Sequence, residues 1–192
     1  FRSEDFSAGT CEIAEGEVLQ LQHQHHPDAS EADYLQIIYG KTSRLFMMAC
    51  EGAAMLAGQP QYREGLRAFA AHFGNAFQII DDILDYSSDA ETLGKNIGDD
   101  LMEGKPTLPL IAALQRTDGA DRELIRRSIQ TGGTQDLARI IALVHQSGAL
   151  DYCRLRASEE TASAVQALHA LPDSVYRQAL MALARYAQDR LS

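Results

Sequence analysis

Three carboxylates, Asp81, Asp82 and Asp85, interrupt the otherwise apolar run Phe77-Gln78-Ile79-Ile80-Asp81-Asp82-Ile83-Leu84-Asp85-Tyr86. On a helix Asp81 and Asp85 are an i,i+4 pair and Asp82 and Asp85 an i,i+3 pair, so all three acids project toward one side. Like charges at that spacing repel weakly when exposed and more strongly when burial strips their hydration. A positive group should compensate. Most acidic clusters are solvated faces, but here Phe77, Ile79, Ile80, Ile83, Leu84 and Tyr86 make the helix apolar nearly all round, the pattern of an interior helix. The acids are therefore read as a divalent-cation site in preference to a solvated face. Oxygen ligands favour a hard ion, and Mg2+ in particular keeps several waters and joins a few carboxylates to substrate phosphates.

Carboxylates do not bind a diphosphate directly, so metal ions must bridge them, while Lys41, Lys95 and Lys105 neutralise the remaining oxygens. Surrounding apolar helices would hold a greasy group. Such a site makes a diphosphate a better leaving group by gathering the negative charge that develops on it. Taken singly, these features have plainer readings. Lys41 alone is a solvated or snorkelling side chain. The Gly/Lys segment from Gly94 to Lys105 lacks both the G-K-[ST] pattern and the preceding strand of a P-loop. Asp99, Asp100 and Glu103 repeat the acidic spacing but are flanked by glycines, so they read chiefly as a solvated loop. His23, His25 and His26 are crowded, yet Pro27 ends the segment and no acids stand at ligand spacing, so a solvated interhelical loop is expected.

These side chains need helices to position them. The 192 residues, 45% hydrophobic, suffice for one sizeable core, and a single α-helical domain over residues 1–192 is expected. The net charge of -10, from 27 acidic and 17 basic residues, argues against a nucleic-acid surface and a polybasic membrane patch. Cys11, Cys50 and Cys153 are far apart and form no C-x-x-C, which suggests neither disulfides nor zinc but a reducing, cytoplasmic setting. No apolar run approaches a membrane span and no signal-peptide pattern opens the chain. The first residue is Phe1 instead of Met, so a fragment or processed product is expected.

Residues Phe1 to Ala8 lack clear periodicity, after which Ala14, Val18 and Leu21 mark a helix to about Gln22. Ser30, as N-cap with Asp33 in a weak capping box, opens one long helix to about Ala57, ended by Gly58 and Pro60. The next helix starts near Tyr62 and carries Leu66, Phe69, Phe73 and Phe77 up to the acids. Gly65 and Gly74 inside it cost about 1 kcal/mol each against Ala, which suggests close packing on a neighbouring helix. The pattern fails from Ser87 to Thr107. Further amphipathic helices follow near Leu108 to Gln115, Asp121 to Thr131, Thr134 to Ser147, Ala149 to Leu171 and Ser174 to Leu191, read as scaffold or interface. No strand or repeat is evident, so the fold class is an all-α bundle.

At this point the sequence resembles a known family. Phe77 to Asp85 is similar to the second aspartate-rich motif of the trans-polyprenyl diphosphate synthases. Lys41-Thr42, Gly94-Lys95-Asn96-Ile97-Gly98-Asp99-Asp100-Leu101 and Glu103-Gly104-Lys105-Pro106-Thr107-Leu108-Pro109-Leu110 match the family in order and spacing. The segment Ile13-Ala14-Glu15-Gly16-Glu17-Val18-Leu19-Gln20-Leu21 points within it to bacterial long-chain enzymes of the octaprenyl diphosphate synthase type.

The resemblance implies a helical bundle of the isoprenoid synthase type and a head-to-tail prenyl transfer. An allylic diphosphate ionises with Mg2+ help, isopentenyl diphosphate attacks, and a proton is lost, and the resemblance points to a quinone side chain as the end use. By similarity Asp81, Asp82 and Asp85 hold Mg2+ on the allylic diphosphate, with Asp81 as the direct ligand. Lys41 and Lys95 contact that diphosphate, Lys105 closes on it from its loop, and Thr42 and Gln78, beside Phe77, stand near the reacting carbon. Glu17 and Gln20 face the allylic pocket, and Asp100 partners a metal-bound water. A homodimer is implied. The family's first aspartate-rich motif, its isopentenyl-diphosphate-binding basic residues and its chain-length residues precede the matched region, so the chain is expected to be the C-terminal part of such an enzyme, incomplete at the N-terminus and inactive alone. Two other readings compete: a non-catalytic helical subunit partnering a complete synthase, and a terpene cyclase of the same superfamily.

Overall fold

A computed structural model describes residues 3–87, 98–132 and 135–191, with side chains from residue 6 onward. Among the described residues there are ten α-helices and no strand. They are α1 (Ser3–His23), α2 (Glu31–Ile38), α3 (Arg44–Leu56), α4 (Arg63–Leu84), α5 (Asp99–Met102), α6 (Leu108–Arg116), α7 (Gly119–Thr131), α8 (Leu137–Gln146), α9 (Ala149–Ala167) and α10 (Val175–Asp189). The all-α expectation holds. Contacts group the chain into two compact units: Phe1–Val18, Gln36–Gln78 and Arg156–Ser192 form the first, Leu19–Leu35 and Ile79–Leu155 the second.

In the first unit, the long helix expected from Ser30 to Ala57 is broken by a π-helical turn, Tyr39–Ser43, where Arg44 N–H donates to the Tyr39 carbonyl five residues back. The inserted residue rotates everything after it, which a 3.6-residue stripe does not reveal. Two glycines hold this turn. A Cβ on Gly16 of α1 would stand 2.5 Å from Lys41 N, and one on Gly74 of α4 would stand 2.5 Å from Ser43 Cα. Close packing thus accounts for Gly74, as expected, and for Gly65, whose Cβ would lie 3.1 Å from that of Ala170. Behind the turn, Phe69, Phe73 and Met47 are buried, and the Phe46 ring meets Phe73 edge-on at 5.1 Å. Glu51, 3% exposed, is held by Arg63 Nε at 3.0 Å and Arg44 Nη1 at 3.5 Å.

In the second unit, Ser30 and Asp33 form the expected capping box: Ser30 N–H donates to Asp33 Oδ2 (2.8 Å) and Asp33 N–H to Ser30 Oγ (3.2 Å). The core gathers Ile79, Ile80 and Ile83 of α4 with Leu101, Leu108, Leu110, Ile125, Ile129, Ile140 and Cys153. Pro109 sits in the first turn of α6, where its missing N–H is not needed. α1 starts earlier than its periodicity suggests, at Ser3, and α4 stops at Leu84, leaving Asp85 and Tyr86 in a turn. The other helices fall within a few residues of the sequence reading.

Candidate functional site

The three acids of α4 and its end do not share one environment. Asp82 and Asp85 are buried, 2% and 3% exposed, whereas Asp81 is partly exposed. Burial of an ionised carboxylate requires donors. Asp82 accepts from the Tyr34 hydroxyl at 2.7 Å, and Asp85 Oδ2 accepts from Asp100 N–H at 3.3 Å. The Asp85 carbonyl also takes the Gly98 N–H at 3.1 Å, and His145 Nε2–H donates to the Tyr86 carbonyl at 2.7 Å, so the turn after α4 is fixed at both residues. Burial, then the charge of Asp82, holds the Tyr34 hydroxyl well above its usual range, so it stays a donor.

Asp100 is not the solvated loop residue that the flanking glycines suggest, whereas Glu103, 57% exposed, stays at the surface as expected. Asp99–Met102 is a helical turn, and Lys105 Nζ pairs with Glu103 at 2.6 Å and Asp100 at 3.4 Å. Burial lifts the Asp100 carboxyl above its ordinary value against the pull of Lys105. Burial works against charge on Lys105, but Glu103 and Asp100 outweigh it and raise its pKa. His25 is likewise engaged, its N–H donating to the Gly104 carbonyl at 2.8 Å. His25 and His26 nevertheless stand exposed in the interhelical loop that the sequence suggests, so it is chiefly the backbone of that loop that is anchored.

In the first unit the π turn presents three consecutive polar residues, each with a partner on a flanking helix. Lys41 Nζ pairs with Glu17 of α1 at 2.8 Å, Thr42 Oγ1 donates to Gln78 Oε1 at 2.9 Å, and Ser43 Oγ donates to Asn75 Oδ1 at 2.6 Å. These side chains are thus aimed at α1 and α4. Lys41 is 36% exposed, neither fully solvated nor buried. Phe77 packs on Phe46 at 5.8 Å, with the Arg190 guanidinium 5.7 Å from its ring. Gln20 is half-buried on α1 within the second unit. Lys95 lies outside the described residues.

Sequence reasoning thus named Glu17, Lys41, Thr42 and Gln78, which the structure groups around one turn, and Asp81, Asp82, Asp85, Asp100 and Lys105, which it groups in the second unit. It missed Tyr34, Ser43, Asn75 and His145. Tyr34 had a signal: a tyrosine inside an apolar stripe needs an acceptor for its hydroxyl when buried. Among the described residues no three His, Cys, Asp or Glu side chains form a ready metal cage. An all-oxygen set with one partly exposed carboxylate and two buried ones nevertheless fits a hard ion that keeps most of its waters.

The profile of the polyprenyl synthetase family matches residues 3–146. The chain belongs to this family. This polyprenyl synthetase homologue is 73% identical over 187 residues to the all-trans-nonaprenyl-diphosphate synthase (geranyl-diphosphate specific) of Rhodobacter capsulatus, covering 97% of this chain and 58% of that protein. It is 46% identical to the octaprenyl diphosphate synthase of Escherichia coli over 93% of this chain and 56% of that one. The crystal structure of a Caulobacter crescentus polyprenyl synthase complexed with calcium and isoprenyl diphosphate superposes with a TM-score of 0.91 at 42% identity, covering 98% of this chain and 58% of that one. A decaprenyl diphosphate synthase structure from Rhodobacter capsulatus gives 0.90 at 39%, covering 98% and 59%. The chain therefore spans little more than half the length of the relatives it matches. No described helix is long and apolar enough to cross a membrane.

Proposed function

We propose that the protein is a polyprenyl diphosphate synthase that condenses isopentenyl diphosphate head-to-tail onto an allylic diphosphate. The observation that carries this reading is the state of the three acids: Asp82 and Asp85 are buried yet supplied with donors, and Asp81 is the partly exposed one. That division suits Asp81 as a direct ligand of Mg2+, with Asp82 and Asp85 orienting it and its waters. When bound, Mg2+ would neutralise charge on the departing diphosphate. Family membership and the calcium and isoprenyl diphosphate held by the Caulobacter relative support the assignment.

The chain's own residues then have separable tasks. Lys41, Lys95 and Lys105 bind diphosphate oxygens, and each must exchange an internal partner for them where it has one, as Lys41 does with Glu17 and Lys105 with Glu103. Thr42 and Gln78, hydrogen-bonded to each other, stand by the allylic carbon with Phe77, and Glu17 and Gln20 line the allylic pocket. Asp100 would accept from a water on the bound metal. We also propose a single domain, a homodimer, a cytoplasmic location and a quinone side chain as the product's use.

The test is Asp81→Asn in the full-length protein, assayed for incorporation of isopentenyl diphosphate and for Mg2+-dependent binding of an allylic diphosphate. Both should fall. Wild-type turnover and binding in Asp81→Asn would refute the site.

A further inference from the structure

The turn between α1 and α2 holds a backbone conformation that side chains avoid. His25 has φ +64°, the one non-glycine in the left-handed region among the described residues. Such a conformation persists only where its surroundings impose it, and it concentrates at functional positions. What imposes it here is the turn that carries Lys105. His25 N–H donates to the Gly104 carbonyl at 2.8 Å, the Gln24 amide donates to the Glu103 carbonyl, and His25 Nδ1–H donates to the Ile129 carbonyl at 3.2 Å.

His25 is exposed, and one side of its imidazole lies against two glycines. A Cβ on Gly104 (φ +67°) would stand 2.2 Å from His25 Nδ1, and one on Gly132 (φ +61°) would stand 3.3 Å from His25 Cε1 and 2.7 Å from the Met102 carbonyl. Three left-handed residues from separate segments thus meet around one ring. From the other side the turn is closed by Lys105 N–H on the Asp100 carbonyl at 2.9 Å and by Lys105 Nζ on Glu103 at 2.6 Å. Asp100 N–H in turn bonds Asp85 at 3.3 Å, so the turn is continuous with the acidic cluster.

We infer that His25 is a positioning residue: it latches the turn Met102 to Lys105 and so sets where Lys105 is presented to the diphosphate. This rests on the proposed diphosphate role of Lys105. Without the ring, the turn would keep its bonds to α5 and to the His25 N–H but lose the imidazole that packs against Gly104 and is tied to the Ile129 carbonyl of α7, and Lys105 would sample more positions. An ordered cation recovers more binding than a mobile one, because less freedom is lost on contact.

The experiment uses the full-length protein with His25→Gly, which keeps the left-handed backbone and its N–H but removes the ring, and His25→Asn, which tolerates the same backbone and restores a side-chain donor. Inorganic pyrophosphate is the probe, with its inhibition constant and the KM for allylic diphosphate as kinetic readouts and amide exchange at Gly104 and Lys105 as the structural one. His25→Gly should speed exchange at both amides and raise KM and the inhibition constant by about tenfold, with kcat changed less and Asn recovering most of the loss. In a Lys105→Ala background the same replacement should change neither kinetic constant further. Unaltered exchange in His25→Gly overturns the latch. A kinetic loss that persists undiminished in the Lys105→Ala background also overturns it, because the ring then acts otherwise than through Lys105. Lys105→Ala with wild-type KM and pyrophosphate inhibition refutes instead the diphosphate reading of Lys105, and faster exchange in His25→Gly then leaves the latch standing as a constraint on the turn alone.

Discussion

The Tyr34 hydroxyl donates to the Asp82 carboxylate at 2.7 Å, with both side chains sealed from solvent at 4% and 2% exposure. Neither group has water to fall back on. Tyr34→Phe leaves a buried carboxylate short of a donor and should cost about 1–3 kcal/mol, measured by urea unfolding near neutral pH. The pH sign follows from the raised hydroxyl pKa: Tyr34 ionises in the unfolded chain near 10.0 but only well above that when folded. Its contribution is therefore intact below about 10 and is lost as pH rises further. Alkaline unfolding of Tyr34→Phe should be less steep than that of the wild type, and an identical alkaline profile would count against the assignment.

The seat of the π turn is a matter of van der Waals distance. An Ala methyl at position 74 would lie 2.5 Å from Ser43 Cα and 2.6 Å from Ser43 Oγ, and the former is backbone that cannot swing aside. Gly74→Ala should therefore destabilise by about 1–3 kcal/mol despite its better helix propensity. Its activity should fall further than its stability explains, because Thr42 would shift from Gln78. Thermal melts together with kcat at a temperature where both variants are folded separate the two effects.

Glu51 is a buried carboxylate with two guanidinium partners, at 3.0 Å from Arg63 and 3.5 Å from Arg44. Removing the more buried partner by Arg44→Met should cost about 1–3 kcal/mol, since the buried carboxylate loses one of two donors and keeps Arg63. Replacing the acid and Arg44 together by apolar residues should recover much of that loss. A double-mutant cycle in urea reads the coupling, and simple additivity would contradict it.

His72 Nδ1 lies 2.7 Å from Glu160, and that bond raises its pKa above 6.5 against the opposing effect of burial. A raised value means that the pair stabilises fully below about 6.5 and that the gain is lost as pH rises through the folded value. The effect is small because the imidazole is 41% exposed. The stability difference between wild type and His72→Gln should narrow from pH 6 to pH 8.5; a constant difference would show that the proton plays no part.

Among the three acids, Asp81→Asn should reduce turnover by roughly a hundredfold or more, as loss of a group facing developing charge does. Asp85→Asn should reduce it less and also loosen the turn at Asp100, seen as faster amide exchange there. Equal losses in activity with unchanged exchange in Asp85→Asn would contradict the division of roles.

The sequence by itself determined the helical class, because apolar residues at helical spacing leave few alternatives, and it marked Asp81, Asp82 and Asp85 as acids costly in apolar surroundings, Lys41 and Lys105 as the cations that could answer them, and Thr42 and Gln78 through the family resemblance alone. The capping box at Ser30 and the close approach at Gly74 were legible for the same local reason. What only the tertiary structure decided depends on contacts distant in sequence. The π turn shifts the helical register by one residue and faces Lys41, Thr42 and Ser43 to separate partners. Tyr34 reaches Asp82 across 48 positions, supplying a donor to the buried carboxylate that sits beside the partly exposed Asp81. His25 and Gly104 meet from positions far apart in sequence, through backbone angles that no hydrophobic period encodes. Local patterning selects the helices; which carboxylate is buried and which lysine is held in place follows from the groups that packing brings against them.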